Sequence, residues 1–406
     1  MNPVVLRRLQ AWALLAFAVT LPLGQAPPEI TLVLGLAVLA LRAAMERRLP
    51  RLPRGPLLLA LLLWFAAALA SMHNSVDLHA SVSGLRKLVK WFGLCLLVVD
   101  TADSPAALRR LVLACLAGLA IEVFDGVWQA AAGWDLFYRR APHLVFGSVT
   151  RLTGTFRHPA DLSIYLVSLC PFAAALGLRG EQCRRRRLVA LSVLTSAVLL
   201  LCFNRAGILA LAASMLVLAL LLRHWAPAAL GAAAAAVQAA TVPAAVRAWS
   251  ATMPSLLQRL TEPERLMYWQ TALHMIKTHP WIGVGINTFV KAYPAYRDSG
   301  DPYGQVGPYA HNQYLHLTAE LGLAGLAAFL AVLCCTCAAL ARIVRARGEA
   351  PELVAVASAV GAGLTAYLIM GCLESALFYG RVSLVFWVLV GLASAADALQ
   401  ARGQGA

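Results

Sequence analysis

This sequence has little charge. Only 13 % of its 406 residues are charged, against about a quarter in an ordinary soluble domain. With 60 % of residues apolar, that excludes intrinsic disorder, collagen-like repeats and small disulfide scaffolds. Acidic residues are scarcest, 19 against 34 basic ones, of which only four are lysine. A net charge of +15 in a soluble protein raises the question of nucleic acid. Here the placement of Arg on cytoplasmic loops accounts for much of the excess, and no nucleic-acid partner is expected. None of the nine cysteines lies in the long polar loops, which argues against a disulfide framework. Cys334, Cys335 and Cys337 read as small apolar residues in a helix. Neither a His-Glu-x-x-His motif nor a Walker phosphate loop occurs, so no metal, ATP or other cofactor is expected.

What is present is a succession of apolar runs. A spanning helix needs about 20 apolar residues, and twelve candidates are centred near residues 17, 36, 63, 95, 119, 169, 195, 215, 234, 325, 363 and 390. The chain is therefore expected to be an all-α, polytopic integral membrane protein with about twelve transmembrane helices. Arg7 and Arg8 before the first run also fit a cleaved signal peptide. The second span follows at once, which favours an uncleaved helix. Residues 1–240 hold helices one to nine with a short outer loop at 131–160. Residues 241–310 form a large outer loop with amphipathic helices, and 311–406 hold helices ten to twelve. With the N-terminus inside, the strongly basic short loops, such as Arg42 to Arg54 and Arg179 to Arg187, fall on one side, and both termini are cytoplasmic.

The large loop carries a helix signal. Thr261-Glu262-Pro263-Glu264 is a capping box with proline in the first turn, followed by an apolar stripe of Leu266, Trp269, Leu273 and Ile276. Basic residues left on the outer side are the informative ones. Arg205 sits in the break Asn204-Arg205-Ala206-Gly207 between two apolar helices, either as an anion clamp or as a loop Arg reaching lipid phosphate. Arg265 opens the loop helix, where amides and guanidinium converge on an anion unless it pairs with Glu262. Arg151, Arg157 and Arg381 are further outer-side candidates. Arg140 and Arg347 are expected to matter little. His311 opens the tenth span and offers a proton acceptor near neutral pH, with capping or packing as the alternative. Glu122 and Asp125 read as a proton relay or as counter-charges for arginines. Glu320, nine residues on, is out of phase with His311 on a straight helix.

These residues resemble the O-antigen ligase family and its wider superfamily with O-antigen polymerases and protein O-oligosaccharyltransferases. The texts are Arg151-Leu152-Thr153-Gly154-Thr155-Phe156 with His158-Pro159, Asn204-Arg205-Ala206-Gly207, and Arg265 ahead of Trp269. They continue with His279-Pro280-Trp281-Ile282-Gly283-Val284-Gly285, then His311-Asn312-x-x-Leu315 with Glu320-x-Gly322-x-x-Gly325. The resemblance implies a bacterial inner-membrane glycosyltransferase with a periplasmic active site. It would move O-antigen from undecaprenyl pyrophosphate to lipid A-core in lipopolysaccharide biosynthesis, without metal or ATP and with inversion. It further implies that Arg205 and Arg265 bind pyrophosphate and that His311 is the base. Arg151, Arg157, Arg381 and Asn312 are then substrate-binding candidates. The polymerase, the protein-modifying enzyme and a transporter of an anionic lipid remain as alternatives. The short stretch after the last helix favours the ligase over the protein-modifying branch.

Overall fold

The computed structural model describes residues 3–145, 149–178, 181–247, 263–298, 300, 309–346 and 350–403. Among the described residues are twelve long helices: α1 (Pro3–Thr20), α2 (Ala26–Glu46), α3 (Gly55–Ser71), α4 (Leu78–Thr101), α5 (Pro105–Ala132), α6 (Pro159–Gly177), α7 (Gln182–Leu201), α8 (Arg205–Leu222), α9 (Ala226–Arg247), α12 (Gln313–Arg345), α13 (Pro351–Gly371) and α14 (Gly380–Gly403). Two shorter helices, α10 (Pro263–Thr278) and α11 (Phe289–Tyr296), lie between α9 and α12. Nine of the long helices are apolar and long enough to cross a membrane. The three that fall short are α4, which carries Arg86, Lys87 and Lys90, α7, which begins among Arg184 to Arg187, and the Ala-rich α9. The all-α polytopic expectation holds. A two-stranded ribbon, β1 (His143–Val145) with β2 (Val149–Arg151), lies between α5 and α6.

Local chemistry sets the helix boundaries. Proline stands in the first turn of α2, α3, α5, α6 and α13, where its missing N–H is lost to no bond. Side chains of Asp77, Ser104, Asn204 and Asn312 cap α4, α5, α8 and α12, each satisfying an orphan amide. The centre is formed by α14 and α6, the most deeply buried spans. Around α14, Trp64, Phe92, Phe329 and Phe386 ring the buried Trp387 and its neighbours.

The two ends of the bundle differ in chemistry. At one end Arg42 meets Asp100 at 2.5 Å, and Arg54 and Arg342 both reach Asp397 at 3.0 Å. Arg402 donates to the Asp103 carbonyl, which brings the end of α14 to the same side as the start of α1. At the other end, a small core of Tyr268, Ala272, Met275, Phe289 and Tyr293 holds α10 and α11 onto the top of α12.

That attachment depends on a break in α12. Gly322 has φ 66° and ψ −170°, so α12 is two helices joined at a corner. The loop 279–287 fills the corner. Val284 and Gly285 donate to the carbonyls of Ala319 and Glu320, while Leu323 and Ala324 donate to those of Pro280 and Trp281. Four backbone groups at the break are thus met by the loop. A Cβ on Gly283 would lie 2.3 Å from Glu320 backbone, and one on Gly322 2.3 Å from Trp281 backbone. Both positions have positive φ and contact main chain, so only glycine fits.

One expectation changes and two gain detail. On α10 the buried side is Tyr268, Thr271, Ala272 and Met275, while Leu266 and Leu273 are exposed. Flat rings of α11 and small residues of α12 accept an aromatic and small side chains, and the leucines turn away. Glu122 and Asp125, read as a proton relay or as counter-charges for arginines, also hold backbone. Glu122 accepts from the Thr155 amide and hydroxyl, and Asp125 from the Leu136 amide, so both pin the short outer loop to α5. Glu320 pairs with His316 at 3.3 Å and accepts from the Asn287 and Phe289 amides, so it is an anchor of the large loop. Thr261 and Glu262 of the capping box, with Arg179 and Arg347, lie outside the described residues.

Candidate active site

His311 stands just before the Asn312 cap of α12 and has φ 48°. Asn312 spends its side-chain oxygen on the Tyr314 and Leu315 amides, leaving its nitrogen as the part that can meet a ligand. The turn points the imidazole across to the short connection between α13 and α14. There His311 Nδ1 lies 3.2 Å from Glu374 Oε2. An ionised carboxylate only accepts, so in the neutral imidazole this contact places the proton on Nδ1 and the lone pair on Nε2. The Tyr379 hydroxyl donates to the same Glu374 oxygen at 3.2 Å. Burial, with the carboxylates of Glu374 and Asp161 facing it, pushes the Tyr379 phenol well above its ordinary value, so it remains a donor. His316 supports the connection from below, stacked on Phe378 at 3.7 Å and 3.2 Å from the Ser375 hydroxyl.

The other face of His311 is covered by α10. The Tyr268 ring stacks on the imidazole with centroids 6.0 Å apart, and Trp269 Nε1 donates to the carbonyl of Ala310 at 3.1 Å. Arg265 lies one helical turn before Tyr268, so it shares the face that meets His311. It is half-buried there.

Arg205 is the first residue of α8, directly after Asn204. Arg151 flanks the same break, donating through Nε to the Cys202 carbonyl at 2.9 Å, next to the Leu152 amide on Leu201. A Cβ on Gly207 would meet Ser163 at 3.2 Å, so this corner packs on the first turns of α6.

The same end of α6 borders a cavity of about 820 Å³, whose walls include Arg140, Arg157, His158, Asp161, Tyr379 and Arg381. Arg381 donates to the carbonyls of Pro22 and Thr155 and lies 4.1 Å over the Phe156 ring. Arg140 donates to the same Thr155 carbonyl at 2.7 Å. These two guanidiniums fasten the loop as well as lining the cavity. Arg157 is exposed at its rim. Tyr379 connects the cavity to His311 through Glu374.

Residues 190–330 match the family model for O-antigen ligase. Over that stretch the chain is similar to the O-antigen ligase family. No curated protein matches the chain. The family stretch contains Arg205, Arg265, His311 and Asn312. The match, with the nine long apolar helices, supports a multi-pass membrane protein similar to membrane glycosyltransferase-type enzymes that act on lipid-linked polysaccharides. Arg151, Arg157, Glu374, Tyr379 and Arg381 lie outside the O-antigen ligase stretch and reach it only through the fold. Sequence reasoning did not single out Glu374, Tyr379, Tyr268 or Asp161, and Arg140, expected to matter little, fastens the loop through Thr155. One signal was present: Glu374 is a lone carboxylate at the outer end of an apolar span, where an ionisable group is costly and usually functional.

Proposed function

We propose that the protein is an O-antigen ligase, transferring O-antigen polysaccharide from undecaprenyl pyrophosphate to the lipid A-core at the periplasmic face of the inner membrane, with both termini cytoplasmic. The observation that carries this reading is the His311–Glu374 pair, stacked under Tyr268 and one helical turn from Arg265. An acceptor hydroxyl loses its proton to Nε2 of His311 as its oxygen attacks the anomeric carbon, while Glu374 stabilises the resulting imidazolium. The bond from that carbon to the diphosphate oxygen breaks with inversion, and the electron pair leaves on the diphosphate. Arg265 and Arg205 hold that charge, for which planar guanidinium forks are suited. Arg151 supports the corner that presents Arg205. Arg157, Arg381 and Asn312 contact the substrates. The proton on His311 passes to the released diphosphate or to solvent. The leaving group is already activated, so the scheme needs neither metal nor ATP.

An O-antigen polymerase would use the same chemistry with a second lipid-linked glycan as acceptor, so the acceptor decides between the two. Purified protein is given lipid-linked O-antigen with lipid A-core, with a second lipid-linked glycan, or with a protein acceptor, in the presence of chelator and without ATP. Transfer to lipid A-core supports the ligase. Chain extension on the lipid carrier alone replaces it with the polymerase, and lipid movement without bond exchange overturns the enzyme reading.

A further inference from the structure

At the opposite end of the bundle from His311, α1, α2 and the junction of α4 with α5 enclose a second cavity, of about 240 Å³. Four guanidiniums line it, from Arg7, Arg8, Arg42 and Arg110, together with the carboxylates of Asp100 and Asp103. Those carboxylates are already engaged. Asp100 accepts from Arg42 at 2.5 Å, from Gln10 at 2.8 Å and from the Arg51 amide at 3.0 Å. Asp103 pairs with Arg51 at 3.3 Å, and Arg7 pairs with Glu46 at 3.4 Å. Arg8 and Arg110 form no ion pair among the described residues, so the cavity keeps an excess of positive charge.

Two buried atoms in its lining lack partners and point to the shape of an occupant. Arg42 is only 9 % exposed and its Nε has no acceptor; Gln10 is 1 % exposed and its Oε1 has no donor. Because Gln10 Nε2 donates to Asp100 and Thr101, Oε1 is fixed as the acceptor. Leaving such groups unsatisfied is costly. A phosphate answers Arg42 Nε and the two unpaired guanidiniums, and a hydroxyl beside it answers Gln10 Oε1. Ala11, Leu14, Leu15 and Leu111 continue the wall as apolar surface along the helices, a path suited to an acyl chain and of no use to a soluble phosphate.

We infer that this cavity binds the headgroup of an anionic glycerophospholipid bearing a free hydroxyl, of the phosphatidylglycerol type. Basic clefts between spanning helices are suited to such headgroups. The test uses the full chain in nanodiscs of phosphatidylcholine with increasing phosphatidylglycerol, reading retained lipid by native mass spectrometry. Wild type is expected to retain phosphatidylglycerol over phosphatidylcholine. The Arg8→Gln/Arg110→Gln protein, changed only at exposed positions, should lose about thirtyfold in apparent affinity, from two guanidiniums near the surface. Arg47→Gln/Arg48→Gln, which removes equal charge at the same end but outside the cavity, should stay within about twofold. Equal retention by the first variant, or equal loss by the second, overturns the site. Displacement by glycerol 3-phosphate as effective as by the lipid itself overturns the lipid and leaves a phosphate site.

Discussion

The substitution Glu374→Gln isolates the assumption on which the proposed chemistry rests. The amide keeps the volume of the carboxylate and one acceptor oxygen, but it removes the charge that favours the imidazolium. It also introduces a donor facing His311 Nδ1 at the 3.2 Å separation. If that donor is used, the ring proton moves to Nε2 and the base is blocked. A positioned general base contributes about 10²–10⁴ in rate. Since Tyr379 donates to the same Glu374 oxygen that faces His311, an amide oxygen kept in that place still holds both partners, and we expect a loss near the middle of that range. A fall of about 10²–10³ in kcat corresponds to about 3–4 kcal/mol of transition-state stabilisation. The assay is glycan transfer from lipid carrier to lipid A-core under saturating donor. Because Glu374 acts through His311, KM for the donor should hold while kcat falls. Adding His311→Ala to Glu374→Gln should cost little beyond His311→Ala alone. Glu374→Asp should recover part of the rate. A Glu374→Gln enzyme with kcat near wild type, or fully additive losses in the double variant, refutes the positioning role.

His311→Ala and Arg265→Ala are each expected to abolish lipopolysaccharide capping with membrane insertion intact, read as loss of the O-antigen ladder at unchanged protein level. Arg140→Ala should lower both activity and thermal stability through its bond to Thr155, by about 0.5–1.5 kcal/mol for one lost hydrogen bond, since Arg381 still donates to the same carbonyl; an unchanged melting temperature contradicts this. Gly322→Ala should prevent accumulation of folded protein, because its Cβ would lie 2.3 Å from Trp281 backbone; the loss should exceed about 3 kcal/mol, measured by membrane yield and melting. The raised pKa of Tyr379 means that above about pH 10 the unfolded chain releases a proton that the folded chain keeps. Stability should therefore fall as pH rises beyond that point, and Tyr379→Phe should lessen the slope of melting temperature against pH.

The spans were legible because twenty-residue apolar runs admit few other structures, and the helix starts followed from proline and capping residues. Arg205, Arg265 and His311 were legible because a charge or imidazole beside an apolar helix needs a reason. Glu374 and Tyr379 were harder. They belong to a connection of eight residues between α13 and α14, sixty-three positions from His311, and no periodicity spans that separation. The stripe on α10 was assigned to the wrong face because hydropathy ranks leucine above tyrosine. What packs there is decided by the rings of α11, which one helix's own sequence does not contain. Gly283 and Gly322 were visible as motif letters, yet their meaning is mutual: each leaves the space that the other's backbone occupies.

The corner at Gly322 has a mechanical consequence. Residues 313–321 above it form a short shelf of about two and a half turns, hydrogen-bonded sideways to the loop 280–285. The imidazole thus takes its bearings from the outer cap, while the long lower shaft stays in register with the lipid. Thickening or thinning of the bilayer can tilt that shaft and spend the motion at the corner, so the alignment of base and acceptor need not follow the membrane.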